Sequence, residues 1–174
     1  MDSYLEQLQE AIDSATRGIS SEELTRHPDG HLKGKWSAAE VLEHLYLTYT
    51  GTVKGLERVL QTGKPLASPI TLKQRVRITL VIKLSYFPKG RKAPERATPK
   101  GMSPDEVVAE IGSQITAMGE LLAQCEARHG ARTRVLNHPI LGPLTARQWR
   151  KFHWVHGRHH VQQMLKLRIP KGLS

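Results

Sequence analysis

The stretch SAAEVLEHLYLTYTGTVKGLERVL, residues 37–60, decides what kind of fold this chain adopts. Val41, Leu42, Leu45, Tyr49, Val53, Leu56 and Leu60 recur at three and four, which puts one broad apolar face on a helix. Ser37 supplies an N-cap, and Glu40 three residues on completes a capping box. Gly63-Lys64-Pro65 ends the helix. A helix of this length buries its stripe against other helices, and neighbours of the same kind lie on either side of it in the chain.

Upstream, Tyr4, Leu5, Leu8, Ala11, Ile12 and Ala15 predict a helix over 2–17 that Gly18 ends. SSEELTRH (20–27) reads as a short helical turn, and the Pro-Asp-Gly and Gly34 that follow read as loop. Downstream, ASPITLKQRVRITLVIKLSYFP (67–88) is rich in β-branched residues, but Leu72, Val76, Leu80 and Leu84 fall four apart. That spacing favours a helix, closed by Pro88, with an extended loop over 88–102. Ser103 as N-cap, Pro104 at the first position and Gly130 at the end bracket another long helix. NHPILGPLT (137–145) reads as loop. The last helix is capped by Thr145 with Gln148, runs to about Leu167 and is closed by Ile169-Pro170. No stretch alternates with period two. The expectation is an all-α fold in one domain, 1–174: a four-helix bundle with an inserted helix and long loop between the second and third long helices.

The 174 residues are enough for a core without staples. No apolar run reaches 18 residues, so no transmembrane helix and no membrane partner is expected. MDSYLEQLQEAIDSA has early acids and no apolar core of a signal peptide, so a cytoplasmic location is expected. The single cysteine, Cys125, excludes an internal disulfide framework and any cysteine-based zinc knuckle, and its helical spacing from Met118, Leu121 and Leu122 reads as a buried apolar residue rather than a reactive thiol. Much of the net charge of +10 lies in KLSYFPKGRKAPERATPK (83–100), through Lys83, Lys89, Arg91, Lys92, Arg96 and Lys100. Aromatic residues there are only Tyr86 and Phe87, and no nucleic-acid-binding motif accompanies them. A solvated loop or a rim for an anionic ligand is therefore expected over nucleic-acid binding.

FHWVHGRHHVQQM (152–164) holds four histidines in eight positions. His156 and His160 leave one helix face a turn apart, the spacing at which two imidazoles can hold one metal ion. His153 could share that face, whereas His159 points about 60° away. The residues alone leave two readings open, a metal site and a polar helix face. His44, within the apolar run around Leu42, Leu45 and Leu47, is the third imidazole that a facing helix could bring to the pair. Three imidazoles would leave coordination positions open, as in catalytic sites.

KWSAAEVLEHL (35–45) resembles the first signature of the DinB-like metalloprotein superfamily, a Trp-Ser pair followed by a helix with the first metal histidine. HPILGPLTARQWRKFHWVHGRHHVQQM (138–164) resembles its last-helix signature, with the His-x-x-His-His-x-x-Gln core. The stretch FPKGRKAPERATPKG (87–101) is similar to a long second crossover in one branch of the superfamily. The resemblance implies a bacterial-type four-helix bundle, a metal set of His44, His156 and His160, and one divalent ion, zinc or nickel. It also implies thiol-dependent transfer or isomerisation as the chemistry of characterised members, and a homodimer as one form of assembly. The reading drawn from residues and resemblance together is a metal-dependent transferase or hydrolase acting on a small-molecule substrate, with a low-molecular-weight thiol cosubstrate. The alternative is a non-catalytic metal-binding or stress-associated bundle. For the thiol's carboxylates the candidates are Arg147, Arg150 and Arg158, or the basic loop. Glu40, one turn before His44, is a candidate base whose competing role is the capping box with Ser37. His153, His159 and Gln163 are candidates for groups around the ion.

Overall fold

The computed structural model describes residues 2–27, 35–85 and 93–167. The Pro-Asp-Gly turn, Gly34, Tyr86, Phe87, Pro88, Lys89, Arg91, Lys92 and Ile169-Pro170 lie outside these residues. Four long helices make the frame: α1 (Ser3–Thr16), α3 (Ala38–Thr62), α5 (Pro104–His129) and α6 (Ala146–Leu167). A short α2 (Ser21–Thr25) follows α1, and the inserted α4 (Leu72–Ile78) continues as a π-helical turn, Thr79–Lys83. A 3₁₀ turn, Glu95–Ala97, precedes α5.

The local signals act as their chemistry dictates. Ser37 and Glu40 form the reciprocal cap of α3, and Gly63 ends that helix in the left-handed region at φ 70°. Thr145 and Gln148 cap α6 in the same way, each side chain bonding the other's backbone N–H. Ser103 occupies the N-cap position of α5, but its side chain makes no capping bond; Pro104 at the first helical position needs no N–H partner.

One buried cluster joins the elements. Leu5, Leu8 and Ile12 of α1, Leu42, Leu45 and Leu56 of α3, Ile115, Met118 and Leu122 of α5, and Phe152 and Met164 of α6 all belong to it. Cys125 is part of this core, and burial pushes its thiol up from the usual range, as expected of an inert packing residue. Helix α6 approaches α1 and α3 closely at Gly157. A Cβ there would run into Leu8 Cδ1 and lie 3.0 Å from the Tyr49 hydroxyl.

The segment NHPILGPLT corrects the expectation of a loop. Arg134–His138 (β1) and Gly142–Thr145 (β2) pair antiparallel in a small hairpin. Val135 and Leu144 are buried, so the hairpin closes over the core and does not merely connect α5 to α6. Its turn depends on a side chain: His138 Nδ1 accepts from the backbone N–H groups of Ile140 and Leu141, both at 3.1 Å. The segment after α3 runs beside β1, with the Leu66 N–H donating to the Val135 carbonyl.

Candidate metal centre

α3 and α6 bring His44 to the pair His156 and His160. Each of the three offers a ring nitrogen within 4.8 Å of the others. His44 Nε2 is 3.3 Å from His156 Nε2, and His160 Nε2 is 3.2 Å from the same atom. A tetrahedral site with metal–nitrogen bonds of about 2.0–2.1 Å has edges of about 3.3 Å, so these two contacts match two edges of a site for a single small divalent ion.

The other ring nitrogens settle which atoms face inward. His44 Nδ1 lies 2.7 Å from the Ala97 carbonyl, which can only accept, so that nitrogen carries the proton. His160 Nδ1 donates to Gln163 Oε1 at 3.0 Å. Both rings therefore turn an Nε2 lone pair toward His156. At most one proton, on His156 Nε2, is available among the three converging nitrogens. A cation between them satisfies this donor set better than their mutual contact does.

Burial lowers His44 against the raising effect of the Ala97 bond. Burial, then the neighbouring His160 and His44, hold His156 well below the usual imidazole range. Burial and His44 push His160 down to about 3, opposed by Gln163. All three stay neutral near pH 7, the form that donates a lone pair. The ring of Trp36 lies beside His44, centroids 5.2 Å apart, and Phe152 stacks on His156 at 5.3 Å.

Glu43 has no counterpart among the sequence expectations. Its carboxylate is buried, next to His44 in the chain, and accepts three backbone N–H bonds: Lys100 at 2.6 Å, Gly101 at 3.0 Å and Met102 at 3.1 Å. It thereby pins to α3 the segment whose Ala97 carbonyl orients His44. No local pattern announces this, because a Glu on a helix reads as a solvated charge until the partner loop is known.

The remaining candidates disperse. Glu40 serves the cap, accepting the Ser37 N–H at 2.7 Å, and lies 3.7 Å from His27 Nε2. His153 is wholly buried, with Nε2 3.1 Å from Thr52 Oγ1 and its ring stacked on Trp149. Since Thr52 gives its own proton to the Thr48 carbonyl, His153 donates, and its ring belongs to the core. His159 is half-buried with its ring edge against His160. Arg150 is paired with Glu126 at 2.6 Å and lies 3.9 Å from Asp2. Arg158 covers Trp154 at 4.7 Å, and Arg147 is exposed. These two leave α6 about 180–200° around from His156, so neither faces the cluster.

The sequence profile of the DinB superfamily matches residues 4–164, so the chain belongs to the DinB superfamily. The uncharacterized protein YuaE of Bacillus subtilis (strain 168) is 26% identical over 165 residues, with 87% of each chain covered. No solved structure matches the chain. Among the described residues, no helix is long and apolar enough to cross a membrane.

Proposed function

We propose that the protein is a divalent-metal-dependent transferase or hydrolase acting on small molecules, with a low-molecular-weight thiol as cosubstrate. His44, His156 and His160 hold the ion, zinc or nickel, through Nε2. The observation that carries this reading is the convergence of three ring nitrogens within 4.8 Å, with His44 Nε2 and His160 Nε2 at 3.3 and 3.2 Å from His156 Nε2 and both turned inward by Nδ1 partners. An ion held there supplies the positive charge that keeps a thiol or a water deprotonated at neutral pH. Ala97 and Gln163 retain the Nδ1 protons of His44 and His160, so neither ring can rotate away from the seat.

The nucleophile in this reading is a thiol, which the ion would hold as its anion; among the described residues no carboxylate joins the three histidines as a further ligand. His159, beside His160, is the proton carrier in this reading. Arg96 of the basic loop, exposed and adjacent to the Ala97 that orients His44, is the cation for the thiol's carboxylates in this reading.

Elemental analysis of untagged protein tests the metal, with His44→Ala and His160→Ala beside the parent. Near-stoichiometric metal in the parent and none in the variants is expected; a metal-free parent after incubation with zinc or nickel overturns the reading. Consumption of small thiols against a panel of electrophiles then tests the reaction. Metal without turnover on any of them leaves a metal-binding bundle.

A further inference from the structure

The inserted helix presents a surface that the metal centre does not use. Leu72 is 80% exposed, Val76 55%, Leu80 41% and Leu84 66%, and these four make up most of the large apolar side chains exposed among the described residues. They sit four apart. In a plain α-helix that spacing drifts by about 40° at each step. The π turn over Thr79–Lys83 is wider and counters the drift, so Leu84 stays on the outward side. The inward side belongs to the bundle: Ile78, Val81 and Ile82 are buried, and Arg77 Nη1 donates to the Ile140 carbonyl at 3.4 Å. The stripe is thus the outer face of a firmly seated helix.

Charge narrows what can cover it. From Arg58 to Pro94 the sequence holds nine Lys or Arg and no Asp or Glu, so this stretch carries nearly all of the net charge of +10. Lys73, Arg75 and Lys83 are exposed on the helix itself. Nucleic acid would meet the cations but offers no apolar layer for four Leu and Val side chains. A second copy of the chain would bring two basic faces together. An anionic bilayer surface supplies both an apolar layer and opposite charge.

We propose that residues 71–84 form an interfacial helix that seats the protein on anionic phospholipid, with Leu72, Val76, Leu80 and Leu84 below the headgroups and Lys73, Arg75 and Lys83 among them. The expectation of no membrane partner rested on the lack of a spanning segment, and a helix lying in the surface needs none. The proposal is independent of the metal reading.

Co-sedimentation of the full chain with vesicles tests it, using phosphatidylcholine alone and a mixture with phosphatidylglycerol. Binding to the anionic vesicles only, weakening as salt rises, is expected. The Val76→Asp/Leu80→Asp variant should bind roughly tenfold or more weakly, with an unchanged melting curve because both positions are exposed. Lys73→Gln/Lys83→Gln should lower both the affinity and its salt dependence. No binding to anionic vesicles, or equal binding by the aspartate variant, overturns the proposal. So does a parent dimer that the aspartate variant dissociates, or tight binding to duplex DNA that is insensitive to the apolar stripe.

Discussion

Two groups of buried and half-buried histidines lie where α6 meets the hairpin and α3, and they differ in where their ring nitrogens point. His138 and His153 are committed to the protein, one accepting the two N–H groups of a turn, the other donating to Thr52. His44, His156 and His160 turn their Nε2 atoms toward one another. All five are depressed by burial, so a low pKa does not separate the groups. Direction separates them. His44 and His160 become candidate ligands because a carbonyl or amide oxygen takes one nitrogen and leaves the other facing His156.

Breaking the convergent set has the largest expected effect. His156→Ala should take metal content to background, a loss beyond the roughly 100-fold that an outer partner is worth. A Gln163→Leu variant leaves the His160 Nδ1 proton without its acceptor, and metal affinity, read by competition with a chromogenic chelator, should fall about 10–100-fold. Glu43→Gln presents an amide NH₂ to backbone donors and loosens the segment bearing Ala97; a fall of roughly tenfold or less is expected in the same assay, with Glu43→Asp retaining more. If Glu43→Gln matches the parent, the loop is held without it.

The structural pair should respond only to acid. The rings of His138 and His153 lie near 3 in the fold, against 6.5 as the ordinary value, because burial disfavours their charged forms. Their contribution to stability is present above about 6.5 and is lost as pH falls toward 3, since the unfolded chain then binds protons that the fold refuses. His153→Leu should keep its metal at neutral pH and lose less melting temperature between pH 7 and pH 4 than the parent. Loss of metal in His153→Leu would dissolve the distinction between the two groups.

What the sequence discloses follows from how local each interaction is. The capping boxes of Ser37 with Glu40 and Thr145 with Gln148 are complete within four residues, and the helix periods need no distant partner, so the bundle was legible. The pairing of His156 with His160 was legible for the same reason. The hairpin was not: Pro143 interrupts its second strand, the burial of β2 does not alternate, and its turn rests on the His138 side chain. His44 and Ala97 are 53 positions apart, Glu43 and Lys100 are 57 apart, and these partners meet only when the fold forms.

Gly157 carries a consequence for how this chain can vary. Alanine would improve the helix by about 1 kcal/mol, yet there is no room for its methyl group beside Leu8 and the Tyr49 hydroxyl. Positions 8 and 157 therefore share a single volume, and with it the spacing that sets His156 and His160 against His44. A relative with a side chain at the second position should carry a smaller residue at the first, and the two substitutions should be harmful singly and tolerated together.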